Sequence, residues 1–381
     1  MGSVAYRSVL VRAWEHGGVP VRVLIEEVQS GRRSEVRGTE ARRVVEALAI
    51  APAASAGGIR ESSEVPAEAS MDRDGNGGNG MVLVVGATGM VGTEICRLLV
   101  AQGMQVRGLV RQQSSHEKVE ALRGLGVETV VGDLRDAASL EVACANEKAV
   151  VTTVSSMPFA YEAGVNDIAT TDLEGTKRLI DAARTAGVDR FVFTSFSKNI
   201  DLDMPLGNAK RAVEDHLMAS GLTYTILRPS YFMEVWLSPA VGFDAANAKA
   251  AIYGDGTAPI SWISLGDVAR FAARSVTASR AANATLELGG PEAISPSAVV
   301  RIFERVGGRP FETQHVPEDA LAAQAAAATD PMSRSFSTLM RCYARGDAIP
   351  MTDVLEGIPV RLTSVEAYAE RVLGMVVAGA R

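Results

Sequence analysis

The sequence predicts an α/β fold: a doubly wound parallel sheet with a small C-terminal subdomain covering a substrate. Three features carry this prediction. From residue 81 onward, short apolar runs alternate with amphipathic helical stretches. A glycine-rich turn joins the first run to the first helix, and the alternation fades after Pro229. Strands alternating with helices are the pattern of βαβ units, whose crossovers make the strands parallel.

The elements follow in order. Met81–Val85 reads as the first strand and 91–102 as the first helix, with Val91, Ile95, Leu98 and Leu99 on one face. The strand at 105–110 precedes a helix at 115–125, and the strand at 128–131 precedes a helix at 137–145. A fourth strand covers 149–154 and a long helix 168–186, with Leu173, Leu179, Ile180 and Ala183 facing inward. The fifth strand is at 190–193, the fifth helix at 208–220 and the sixth strand at 223–227. Beyond Pro229, residues 241–264 read as loop because of Gly254, Gly256 and Pro259. A helix at 265–275, a strand at 285–288 and helices at 297–306, 317–328, 331–344 and 364–374 complete the chain.

Composition bounds the function. The chain has 381 residues, of which 47% are hydrophobic and 22% charged, enough for two or three domain-sized units with a sizeable core. Residues 81–230 form the expected nucleotide-binding domain. Residues 231–381 form the C-terminal covering region, with the chain returning to the core. Residues 1–80 lack lysine and end in a Gly/Asn tract. They read either as a poorly ordered extension, with Met81 then a possible initiator, or as a small folded unit with a strand at 19–28 and a helix at 35–50. A net charge of −7 argues against nucleic-acid binding by bulk electrostatics. Cys96, Cys144 and Cys342 are too scattered for a disulfide framework or thiolate zinc site, and the four histidines lack metal-ligand spacing, so no metal is expected. No apolar run approaches the roughly 20 residues of a membrane span. The expected location is cytoplasmic.

The chemistry lies in Gly86-Ala87-Thr88-Gly89-Met90-Val91-Gly92. Gly86 permits a tight turn, Gly89 lets the backbone approach a pyrophosphate, and Gly92 lets the helix pack close to the sheet. The helix N-terminus then offers N–H groups and a positive dipole end to phosphates. With a strand before and a helix after, this is a Rossmann-type dinucleotide site, to which Thr88, Met90 and Val91 also belong. The second strand ends in Arg111, where an NAD-specific site would carry an acid. Arg111, with Ser114, Ser115 and Lys118 beyond it, favours a 2′-phosphate and hence NADP, unless it is only a solvated strand-end charge. Asp133, followed by Leu134, either accepts from the adenine amino group or caps the next helix. Thr153 and Val154 end the fourth strand, at the edge where a cofactor crosses. Lys210 lies early on the fifth helix, either within reach of that crevice or on the surface paired with Glu214.

These residues resemble the short-chain dehydrogenase/reductase superfamily, and most closely its atypical NmrA-like branch. The resemblance covers about 81–375 and rests on the evenly spaced glycines and four further stretches. These are Asp172-Leu173-Glu174-Gly175-Thr176-Lys177, Arg190–Ser195, Lys210 and Glu214 running into Ser220–Pro229, and Ile260–Ala269. The resemblance implies that Thr194 and Ser195 sit beside the nicotinamide ribose. It places Pro229 near the carboxamide and has Lys210 bond the ribose hydroxyls, making it the catalytic residue. The superfamily's usual Tyr four residues before that Lys is absent, since position 206 is Leu206. Ser197, Tyr231 or water remain as possible proton donors, and Tyr231 equally reads as a core aromatic with a satisfied hydroxyl.

Two functions follow from the resemblance. One is an NADPH-dependent reductase of a quinone-like or other conjugated small molecule, its pocket lined by Tyr231–Leu237. The other is a non-catalytic NADP(H) sensor acting through a protein partner. A scaffold that uses the cofactor only for stability is a third reading. The enzyme is favoured, because conjugated acceptors need less help from a protein acid.

Overall fold

The computed structural model describes residues 9–14, 22–27, 33–37, 80–157 and 161–379. The chain divides into two units, 1–74 and 75–381. In the first, β1 (Val9–Trp14), β2 (Arg22–Glu27) and β3 (Arg33–Arg37) form an antiparallel sheet in the order β1-β2-β3. The expected strand at 19–28 coincides with β2. The expected helix at 35–50 is strand at 35–37, and its remainder lies outside the described residues.

The second unit opens with β4 (Met81–Val85), α1 (Met90–Ala101), β5 (Gln105–Val110), α2 (His116–Gly124), β6 (Glu128–Val131), α3 (Ala137–Cys144) and β7 (Glu147–Thr152). A π-helical segment, Ile168–Gly175, runs into α4 (Thr176–Thr185). Then come β8 (Arg190–Thr194), α5 (Pro205–Ala219), β9 (Tyr224–Pro229), the short α6 (Met233–Trp236), β10 (Phe243–Asp244) and β11 (Lys249–Tyr253). The chain ends with α7 (Leu265–Ser275), β12 (Ala284–Leu288), α8 (Pro296–Gly307), β13 (Glu312–Val316), α9 (Glu318–Ala327), α10 (Pro331–Arg345), α11 (Thr352–Gly357) and α12 (Val365–Gly379).

The seven-stranded sheet has the order β12-β9-β8-β7-β4-β5-β6, with every neighbouring pair parallel. A strand buried on both faces must be apolar at every position, and β4 is. Val82 and Val84 face α1 and α7, packing on Ile95, Leu99, Val268 and Phe271. Leu83 and Val85 face α3, α4 and α5, meeting Leu140, Leu179, Ile180 and Val213. Each of these side chains is at least nine-tenths buried. By transfer energetics each stabilises the fold by about 1.5–3 kcal/mol. The strand order reverses direction between β4 and β7, and that switch point is where ligands enter such sheets.

A second, mixed sheet corrects the expectation of loop over 241–264. There β11 pairs with β10 antiparallel and with β13 parallel. It belongs to a C-terminal core containing Phe243, Trp262, Phe303 and Tyr343. The strands were hidden for physical reasons: β11 contains two alanines, and four of the five residues of β13 are exposed. Two further returns tie this part to the sheet. β12 extends it beside β9, and buried Asp267 on α7 accepts from the Thr363 N–H and hydroxyl.

Candidate active site

The turn between β4 and α1 is built by glycine. Gly86 has φ +87°, and a Cβ on Gly92 would stand 2.1 Å from the Gly86 carbonyl oxygen. Gly89 sits at the N-cap of α1, where no side chain caps the helix and no acid occupies the first turn. The N-terminus of a 12-residue helix is thus left to an external anion. It opens on a cavity of about 410 Å³ along the carboxyl edge of the sheet.

Most of the residues expected at the site line this one cavity. At the turn these are Gly86, Thr88, Gly89, Met90 and Val91. Arg111 lies just past β5, and Asp133 and Leu134 just past β6. Thr153 and Val154 follow β7, which ends at Thr152, two residues before the expected end. Thr194 ends β8, Ser195 follows it, Lys210 comes from α5 and Pro229 closes β9.

The Arg111 guanidinium makes no side-chain hydrogen bond or ion pair among the described residues, while the Arg111 N–H donates to Ser114 Oγ at 2.9 Å. Ser114 lines the cavity; Ser115 and Lys118 do not. Asp133 does not cap α3, since Asp136 does that by accepting from the Ala138 N–H. Instead Asp133 is gripped by Arg135, whose guanidinium donates to it at 2.7 and 3.0 Å. Arg135, with Arg111 adding to the field, holds the Asp133 carboxyl below the usual range. Arg135 also lines the cavity, a position the sequence pattern did not single out.

Lys210 is 3% exposed. Its ammonium donates to the Val154 carbonyl at 3.0 Å and lies 3.2 Å from Asp172 Oδ1, over the Phe193 ring. Its partner is therefore Asp172 on the π-helical segment, not Glu214. Asp172 is fully buried and accepts from the Ser156 N–H and hydroxyl at 3.0 and 2.6 Å. Glu214 instead joins Arg211 and Arg228 at 2.7 and 2.5 Å. Burial opposes its ionisation, yet Arg228, Ser195 and Arg211 hold its carboxyl below the usual range. Arg211 also donates to the carbonyls of Phe196 and Ser197, fixing the loop after β8.

Of the possible proton donors, Ser197 does not line the cavity; its hydroxyl donates to Asp347 at 2.7 Å. Tyr231 does line it, but its hydroxyl donates to the Leu339 carbonyl at 3.2 Å, and burial pushes its pKa well above the usual value. Two buried hydroxyls on the wall, Thr194 and Ser230, have no hydrogen-bond partner among the described residues. The segment 231–237 divides. Tyr231, Phe232, Val235 and Trp236 line the cavity, Met233 and Leu237 belong to the core, and Glu234 bonds Ser264 and the Leu265 N–H. Phe336 and Leu339 of α10 complete the apolar wall and were not anticipated, since nothing local marks them.

One half of the cavity thus has an uncapped helix N-terminus, a glycine turn and an unengaged guanidinium. The other half is apolar and aromatic. A dinucleotide phosphate fits the first half on these grounds. The NmrA-like family matches residues 78–368. The chain belongs to that family. It is 30% identical over 237 residues to a photosystem II assembly factor of Cyanophora paradoxa, covering 62% of this chain and 71% of that one. It is 32% identical over 287 residues to the (4-alkanoyl-5-oxo-2,5-dihydrofuran-3-yl)methyl phosphate reductase of Streptomyces griseus, covering 74% of this chain and 94% of that one. Among solved structures, it is similar to the NADPH-dependent quinone oxidoreductase of Escherichia coli complexed with NADPH. The TM-score is 0.63 at 21% identity, over 77% of this chain and 99% of that one, a likeness of fold. Among the described residues, no helix of this family member is long and apolar enough to cross a membrane.

Proposed function

We propose that this chain is an NADPH-dependent reductase of a conjugated, quinone-like small molecule. The observation that carries the reading is the continuity of one cavity from the anion-binding turn and Arg111 to an apolar wall, with Lys210 between them. The reductase from Streptomyces griseus, similar over most of both chains, supports an oxidoreductase.

In this reading the α1 N-terminus holds the pyrophosphate, and Arg111 with Ser114 takes the 2′-phosphate. Thr153, Val154, Thr194, Ser195 and Pro229 border the nicotinamide end. Bound NADPH would supply the hydride. Lys210, held by the Val154 carbonyl and the Asp172 carboxylate, positions the ribose. The aromatic wall excludes water and presses a flat acceptor toward the cofactor. The Tyr231 hydroxyl is committed to the Leu339 carbonyl, which favours an acceptor that spreads its own developing charge, as a conjugated system does.

The test is loss of reduced-nicotinamide absorbance by the full chain against a panel of quinones and enones, after calorimetry with NADPH. Turnover abolished by Lys210→Ala supports the reductase and its site. Tight NADPH binding without turnover on any acceptor would instead favour the sensor.

A further inference from the structure

We infer that the acceptor is a neutral molecule, a conjugated carbonyl compound carrying no phosphate, carboxylate or fixed positive charge. The inference rests on the function proposed above and deepens it. Among the described residues, the charged side chains lining the cavity are Arg111, Asp133, Arg135 and Lys210. The first three stand past β5 and β6, on one side of the switch point, and Asp133 and Arg135 are already bonded to each other. Lys210 is buried against the carboxylate of Asp172.

On the other side, past β8 and β9, the wall is Phe196, Tyr231, Trp236, Val241, Phe336 and Leu339. Three ionisable groups next to lining residues of this wall are engaged elsewhere. Glu234 accepts from Ser264 and the Leu265 N–H. Asp347 accepts from Ser197 and Asn199, and Arg211 is held by Glu214. An ion bound here would lose its water and meet no counter-charge, which is among the most costly forms of burial. A neutral carbonyl needs only one donor. Ser230, 4% exposed, has a hydroxyl without a partner among the described residues and lies between Pro229 and Tyr231 on this wall.

The experiment uses the full chain, NADPH and three naphthoquinones that share a ring and a short side chain. The chains end in a carboxamide, an isosteric carboxylate or an ammonium group, all remote from the ring. The expected result is turnover of the carboxamide, with kcat/KM lower by on the order of 100-fold for both charged compounds. Phe336→Arg is expected to recover the carboxylate compound by roughly 10-fold and to leave the carboxamide no better. Comparable kcat/KM for all three compounds would overturn the inference and leave the reductase reading standing. No turnover of any of them, with NADPH binding intact, would overturn both.

Discussion

Lys210 and Asp172 form a nearly dry ion pair, and pairs of that kind stabilise only as pairs. Removing one partner strands the other charge in a low-dielectric interior. Lys210→Met is therefore expected to cost about 3–5 kcal/mol in urea unfolding, and adding Asp172→Asn to restore most of that. NADPH affinity should stay low in both variants, which separates the role of Lys210 in stability from its role in binding. Arg111 makes the complementary prediction. Arg111→Ala should weaken NADPH binding roughly 10- to 100-fold, the worth of charge-assisted bonds, and leave NADH binding unchanged. Equal losses for both cofactors in calorimetry would remove Arg111 from the 2′-phosphate site.

Far from the cavity, Glu147 at the start of β7 carries a pH dependence. Burial pushes its carboxyl up to about 7, against the pull of Arg107 at 2.6 Å. A carboxyl raised in the folded state binds more protons folded than unfolded between its ordinary value of 4.5 and about 7. Its contribution to stability is therefore full below that window and lost as pH rises through it. The scale is about 1.4 kcal/mol for each unit of the rise. Glu147→Gln should flatten this loss, so that thermal unfolding of the variant exceeds the parent's at pH 8 and not at pH 4.5. A variant less stable than its parent at pH 8 would mean that the Arg107 bond outweighs burial.

At the scale of elements, the glycine turn makes the sharpest prediction. A Cβ on Gly92 would collide with the Gly86 carbonyl, which is backbone and cannot swing aside. Gly92→Ala should push α1 off the sheet, cost about 1–3 kcal/mol and abolish NADPH binding. Gly124→Ala, at the end of α2 with nothing within 4 Å, should leave both properties near those of the parent. Calorimetry and unfolding on the two variants check this together. How much of each element could be read from the sequence follows the same physics. β4, β5 and β6 were legible to the residue: β4 is apolar throughout, and β5 and β6 each finish in an apolar pair, Leu109-Val110 and Val130-Val131, bounded by turn residues. β11 and β13 were not, because Lys249–Tyr253 and Glu312–Val316 lack that pattern and pair across a long stretch of sequence. The π-helical turn that carries Asp172 has no sequence signature either. Helical spacing offers Glu214 as partner only for the alternative in which Lys210 lies on the surface; the buried Lys210 pairs instead with Asp172, 38 residues upstream.

At the scale of the molecule, the sheet order decides what meets what. The reversal between β4 and β7 puts the glycine turn at the centre of the carboxyl edge, with Arg111 and Asp133 on one side and Thr194 and Pro229 on the other. Sequence reasoning reached these positions because each lies at or just past a strand end. Arg135 also stands just past a strand end but carries no motif that marks it, whereas Phe336 and Leu339 reach the cavity through tertiary packing alone. α10 sets its side chains over the cavity while anchored beside α5, where Ser335 accepts from the Leu206 N–H. In the proposed function, cofactor and acceptor therefore lie side by side in a single cavity, both present when hydride moves.

The measurement that tests this most directly is the initial rate of quinone reduction by the full chain, with NADPH and quinone varied together. Intersecting reciprocal plots, and a slower rate with NADPH deuterated at the transferred position, are the predicted result. Parallel plots, the mark of two reactants that never share the site, would contradict it.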